Sequence, residues 1–512
     1  MRSGVSADTS LRRLAAATVI PPFPGPDVPD WILAELGAGL AGITIYGPNI
    51  VSPAQLAALT ARLSSAADEP IIAIDEEGGD VTRIAHLAGS RYPGNAALGA
   101  VDDPALTEAV YRALGDDLAA LGVNVDLAPS VDVNSAADNP VIGARSFGSD
   151  PALVTRHAAA AVAGLQAAGL AACAKHFPGH GSTSLDTHHE VATVDAPMDL
   201  LARRDLPPFA AAIEAGARAV MPGHLRVRGL TGELPASLSA AALTGLLRGE
   251  LGFTGVIISD ALEMRAVSSP LGIPAAAVRA VAAGTDLLCL GRDQDQQAYL
   301  AVRDALVAAV GDGTLPGDRL AEAAARVAEL RTWLAGACAG ARAEARAGAV
   351  AGVRASAQGT AAAAHVGLIA ARRAARYSGP PLPPGEPLAV QLVPPQNVAV
   401  GAVPWGLAPW LPEASLRPVS TGAAAADLRR ALDEALAAAA GRPLIVVVRD
   451  AHRHQAARAA VSGLLAVRPD AVVVEMGLPV WRPPTASGFL ATYGAALTSG
   501  RAAAEILGLA AP

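Results

Sequence analysis

The sequence predicts an α/β fold: an N-terminal (β/α)8 TIM-type barrel followed by a smaller C-terminal α/β sandwich domain. Three observations carry this reading. Eight short apolar runs recur in the first 290 residues, at 15–20, 42–46, 71–75, 123–126, 171–175, 218–221, 256–259 and 286–290. Alanine- and leucine-rich stretches of helical period, such as 53–67 and 243–251, separate most of them, and strands alternating with helices pair in parallel. Polar residues gather where the runs end: Asp75, Asp126, Lys175 with His176, His224 and Asp260. That end of a barrel is where its loops build a site. An open doubly wound sheet is the alternative, but no Gly-x-Gly-x-x-Gly follows the first run, so a dinucleotide domain is unsupported.

Along the chain, Arg12 and Arg13 precede a short apolar stretch that Pro21, Pro22 and Pro24 cut off. It is too short for a signal peptide, so 15–20 is read as the first core strand. The run 158–174 is mostly alanine and glycine and contains Gln166, which makes it short and feebly hydrophobic for a membrane span. The barrel is expected over 1–345 and a helical linker region over 346–384, ending in the turn-rich Gly-Pro-Pro-Leu-Pro-Pro-Gly of 379–385. Apolar runs at 388–392, 444–448 and 471–476, with alanine-rich helical patterns between them, place the sandwich domain at 385–512. His452 and His454, flanked by Arg449 and Arg453, read as solvated.

A formal net charge of -8 gives no basic footprint for nucleic acid or an anionic membrane, and neither is expected as a partner. The three cysteines, Cys173, Cys289 and Cys338, fit no zinc or disulfide pattern and suit a reducing, cytoplasmic compartment. Of 39 basic residues only Lys175 is a lysine. Where arginine is so strongly preferred, a surviving lysine points to a site needing a compact ammonium rather than a planar fork; chance is the alternative.

Four of the ten histidines fall within Lys175-His-Phe-Pro-Gly-His-Gly-Ser-Thr-Ser-Leu-Asp-Thr-His-His189. Such a cluster on a glycine- and proline-bearing loop after a strand reads as a site. Asp186 and His188 are two apart, so on extended backbone both side chains point the same way. A carboxylate on one imidazole nitrogen fixes the tautomer and leaves the other for proton transfer. Zinc bound by His176, His180, His188 and His189 is the rival, but the spacing matches no helix-borne metal motif.

This loop resembles the signature loop of the β-N-acetylglucosaminidases of glycoside hydrolase family 3. The resemblance implies a retaining enzyme in which His188 is the acid/base and Asp186 orients it. Gly255-Val-Ile-Ile-Ser-Asp260-Ala-Leu-Glu-Met264 resembles the segment carrying the family's nucleophile, which puts that role on Asp260. Ile74-Asp75-Glu-Glu-Gly-Gly-Asp80-Val-Thr-Arg83 and Asn139-Pro-Val-Ile-Gly-Ala-Arg145 resemble sugar-holding segments. By resemblance Asp75, Arg83, Arg145, Lys175 and His176 are substrate-binding. Read from the residues alone, the lesser alternative is that Arg83 and Arg145 are exposed ion-pair residues and Asp75 a strand-end carboxylate bonded to backbone. Asp126 and Asp132 read as organisers of the loop after the fourth strand, and His224 as either a pocket residue or a strand-end cap. The likeness runs through most of 10–340 and continues more weakly at Gly477-Leu-Pro479 and 491–494. Asp80 stands where the family usually has arginine, and Ala192 where it usually has proline.

The resemblance further implies a small carbohydrate as substrate, an N-acetylglucosaminide from peptidoglycan such as a muropeptide. The chemistry it implies requires no metal or organic cofactor. The alternatives are a β-N-acetylglucosaminide phosphorylase on the same scaffold, a substrate-assisted hydrolase, and a non-catalytic sugar-binding protein.

Overall fold

The computed structural model describes residues 2–183, 192–350, 355–395 and 400–511. It divides into two compact units, 1–76 with 107–136 and 149–360, and 77–106 with 137–148 and 361–512. The division is discontinuous: two segments that the sequence assigns to the barrel, Glu77–Leu106 and Ala137–Gly148, belong to the second unit.

Among the described residues the first unit carries eight main strands, besides a short pair at Thr193–Val194 and Arg226–Val227: β1 (Val19–Ile20), β2 (Gly42–Ile45), β3 (Ile71–Ile74), β4 (Val125–Asp126), β5 (Ala171–Phe177), β6 (Ala219–Pro222), β7 (Val256–Ile257) and β8 (Leu288–Cys289). Each lies within or overlaps one of the expected runs. Only the last two residues of the first run are strand, because Ala15 and Ala16 close the helix Arg2–Ala16; alanine has the strongest helix propensity and no preference for a strand. Strands β2 to β7 form one curled parallel sheet, and β1 pairs in parallel with β8. Backbone bonds continue at both seams: Thr44 N–H donates to the Pro21 carbonyl (3.2 Å) and Ser259 N–H to the Leu287 carbonyl (2.8 Å). Among the described residues, no single helix is long and apolar enough to cross a membrane.

Side chains alternate along a strand, so one face of this sheet collects Ile71, Ala73, Ala171, Cys173, Ala219, Met221, Val256 and Ile258 into a single buried cluster. Two residues further on the same alternation stand Asp75, Lys175 and Asp260. The apolar face therefore ends in the polar residues that the sequence singles out.

Before β8, Asp286 is fully buried and meets three guanidiniums: Arg248, Arg319 (2.6 Å) and Arg326 (3.1 Å). It also accepts the Ile257 N–H at 2.9 Å. Removing one partner of a buried ionic cluster leaves the others uncompensated. Asp286→Ala is expected to lower unfolding free energy by about 3 kcal/mol, read as a lower urea midpoint at unchanged slope. A loss below about 1 kcal/mol would mean that water already satisfies these arginines.

The second unit has strands β9 (Arg376–Ser378), β10 (Leu388–Val393), β11 (Leu416–Ser420), β12 (Leu444–Val448), β13 (Val472–Glu475) and β14 (Gly488–Ala491). Their order is β9-β14-β13-β12-β10-β11, all parallel except β9. Each face of this sheet has its own core. One contains Val390, Val446 and Val473 with Val461 and Leu464 of the helix Gln455–Val467; the other contains Ile445, Val447 and Val474 with Ala503 of the helix Leu497–Ile506.

Candidate active site

Lys175, at the end of β5, is 2 % exposed, and its Nζ lies 2.5 Å from Oδ1 of Asp75, which follows β3. The solitary lysine is thus a compact cation closed in against one carboxylate. Next to it, Asp126 is fully buried and accepts the Glu76 N–H at 3.1 Å. Burial pushes the Asp126 carboxyl well above the usual carboxylate range, and the Glu76 N–H and the Lys175 ammonium offset this only in part.

His176 is organised by Asp132. The imidazole Nδ1 lies 2.8 Å from Asp132 Oδ2, the His180 N–H donates to Oδ1 at 2.7 Å, and Ser130 Oγ donates to Oδ2 at 3.0 Å. Burial alone would raise this carboxyl, but the two imidazoles and these hydrogen bonds outweigh it and bring it to about 2. An ionised Asp132 keeps a proton on Nδ1 of His176 and fixes the orientation of the ring. Gly181 ends this part of the loop where a Cβ would collide with the Val133 carbonyl. Of the two loop-organising candidates after the fourth strand, Asp132 therefore anchors the histidine loop and Asp126 the start of the 76–83 segment. Asp186 and His188 lie outside the described residues.

Asp260 follows β7, and its Oδ1 accepts the N–H of Ala261 at 2.8 Å. The carbonyl of Ala261 is in turn held by His224, whose Nε2 lies 3.0 Å from it while Nδ1 lies 2.7 Å from Ser237 Oγ. A carbonyl only accepts, so Nε2 carries the proton and Nδ1 accepts from the serine. His224 is a positioning residue for the Asp260 turn, a role its sequence neighbourhood left open. Glu263 braces the next turn by accepting the Gly291 N–H at 2.7 Å.

The two arginines belong to the second unit. Arg145 ends the short helix Gly143–Arg145 and forks onto Glu77, with Nε to Oε2 at 2.9 Å and Nη2 to Oε1 at 2.6 Å. Both side chains are buried, so the ion pair is internal rather than exposed. Asn95 Nδ2 donates to the Arg145 carbonyl at 2.7 Å, and Asn139 Oδ1 accepts the N–H groups of Val141 and Ile142, both at 2.9 Å. Arg83 is half-buried six residues beyond Glu77. The partners of Glu77 and Asp132, Arg145 and His176, lie 68 and 44 residues away, and an acidic side chain in a loop gives no local sign of a partner so far along the chain.

The family model "Glycosyl hydrolase family 3 N terminal domain" matches residues 31–330. Beta-hexosaminidase A of Pseudoalteromonas piscicida is 34 % identical over 347 residues, covering 62 % of this chain and 56 % of that protein, little more than half its length. Beta-hexosaminidase of Xylella fastidiosa (strain M23) is 37 % identical over 305 residues, covering 57 % of this chain and 89 % of that protein. Among solved structures, a glycoside hydrolase family 3 beta-N-acetylglucosaminidase from Paenibacillus sp. str. FPU-7 superposes with a TM-score of 0.83 at 29 % identity, covering 98 % of this chain and 97 % of that one. With the family model matched across the curled sheet and its rim, the chain belongs to glycosyl hydrolase family 3.

Proposed function

We propose that this protein is a retaining β-N-acetylglucosaminidase that removes terminal β-linked N-acetylglucosamine through a covalent glycosyl-aspartate. The observation that carries the reading is the strand-end series Asp75, Lys175 and Asp260, continuing one buried face into a polar rim. It is supported by the near full-length likeness to the Paenibacillus beta-N-acetylglucosaminidase and by the names of the curated relatives. The same reading takes the curled sheet, with its seam bonds, as a complete (β/α)8 barrel, and the two-faced second sheet as an α/β sandwich.

In the proposed reaction His188, oriented by Asp186, donates its proton to the glycosidic oxygen while an Asp260 carboxylate oxygen attacks the anomeric carbon. The leaving group departs as an alcohol. An acceptor deprotonated by His188 then displaces the aspartate, and two inversions preserve configuration. Asp75, Lys175, His176, Arg83 and Arg145 hold the sugar hydroxyls and the 2-acetamido group, through contacts that strengthen at the transition state. No step requires a metal or organic cofactor. The substrates fitting this reading are peptidoglycan fragments such as muropeptides, met in the cytoplasm.

An aryl β-N-acetylglucosaminide tests the reading directly. Turnover releasing N-acetylglucosamine with retained configuration is expected, and failure to turn over would leave a sugar-binding protein on an enzyme fold. Millimolar phosphate separates the two acceptors: sugar 1-phosphate among the products would make the chain a phosphorylase. That route is open because an imidazole that has lost its proton is neutral and does not repel phosphate as a carboxylate base would.

A further inference from the structure

In the second unit the five parallel strands run β11-β10-β12-β13-β14, so the winding reverses between β10 and β12. Parallel sheets of this order bind their ligands just outside the C-terminal ends of the strands at the reversal. Two side chains from the flanking loops mark the spot. Arg449 directly follows β12, and its guanidinium lies 5.9 Å from the ring centre of Trp405, in the loop after β10.

The occupant is a carboxylate of the same unit. Asp80 Oδ2 lies 2.9 Å from Arg449 Nη2, with the side chains 7 % and 13 % exposed. Its Oδ1 accepts the N–H of Ala495, in the loop after β14, at 2.8 Å. The loop that begins at Arg449 also grips the other inserted segment: His452 Nε2 donates to the Ala137 carbonyl (2.8 Å), and Arg453 Nη2 to the Pro140 carbonyl (3.0 Å). These side chains are therefore not the solvated group expected from sequence. Glu475, at the end of β13, fixes the loop by accepting the N–H groups of Asp450 (2.7 Å), Ala451 (3.1 Å) and Gly477 (2.8 Å).

We propose that Asp80 acts as a built-in ligand of the second sheet, and that the Asp80–Arg449 joint positions Arg83 and Arg145 for the sugar. Arg83 lies three residues beyond Asp80, and Glu77, three residues before it, holds Arg145 in its fork. One loop thus sets both arginine-bearing segments, and Asp80 and Arg449 are positioning residues rather than catalytic ones. The proposal rests on the glycosidase reading for the sugar, but its structural half stands by itself.

The test compares Asp80→Asn, Arg449→Gln and the double variant with wild type in the full chain. Asp80→Asn keeps an acceptor for Ala495 and loses the charge, and the double variant leaves no unpaired buried ion. Each single variant is expected to raise KM for the aryl N-acetylglucosaminide about tenfold with kcat changed less than about threefold. The double variant should be no worse than the poorer single, since both changes break the same joint. Hydrogen exchange should quicken in 77–83 and 137–148. Effects that multiply in the double variant, an unchanged KM, or unchanged exchange in both segments would overturn the proposal. If wild type itself turns over no N-acetylglucosaminide, the functional reading fails, and the exchange comparison alone decides the joint.

Discussion

Replacing Asp260 with alanine is expected to cut kcat with an activated aryl N-acetylglucosaminide by at least about 10⁴-fold, the scale on which loss of a covalent nucleophile is felt. The expectation follows from position. Val256 and Ile258 are buried with the interior of the curled sheet, and the next residue on that face is Asp260. Its turn is fixed by its own bond to the Ala261 N–H and by His224 on the Ala261 carbonyl. A 2-acetamido-2-deoxy-5-fluoro glycoside slows both steps and should trap the intermediate, so that peptide mapping finds the sugar on Asp260. Label on a different carboxylate would move the nucleophile to that residue, and turnover surviving in Asp260→Ala without label would transfer the attack to the substrate's acetamido oxygen.

Removing the imidazole of His188 should slow turnover by about 10²–10⁴-fold, the usual worth of general acid–base catalysis. The loss should depend on the leaving group. An aryloxide of low pKa needs little protonation, so glycosylation is spared with such substrates while deglycosylation, which needs the base, is not. The glycosyl-enzyme then accumulates, visible as a burst of phenol followed by a slow steady state. Equal slowing for good and poor leaving groups, or an inert His189→Ala beside an active His188→Ala, would reassign the proton.

What could be read from the sequence was what repeats or ends locally. Asp75, Lys175 and Asp260 stand where apolar runs end, and reading that needs no knowledge of distant residues. The sequence did not disclose pairings made across long separations. Asp80 departs from the family's arginine, but its partners are Arg449 and, 415 residues away, Ala495. Arg449 and His452 sit in a polar stretch that looks like a solvated turn until those partners are supplied. Asp132 is one of several acidic and amide side chains after the fourth run, and only the fold brings it to His176 and His180. Gly477 drew attention through resemblance alone; the physical reason is Asp450, which would collide with any Cβ there.

The interleaving of the two units bears on how the chain is made. Segments 77–106 and 137–148 emerge from the ribosome early, whereas the sheet they join begins after residue 361. At about 5–20 residues per second, the first of them waits roughly 10–50 s for its partner. During that time the nascent first unit carries two excursions in which Asp80 and the Ala137 carbonyl still await their partners from the later sheet. Contacts of such high sequence separation are slow to form and leave intermediates open to misassembly. A translational pause anywhere along 149–360 lengthens that wait by its own duration, so cellular yield should be sensitive to synthesis tempo there.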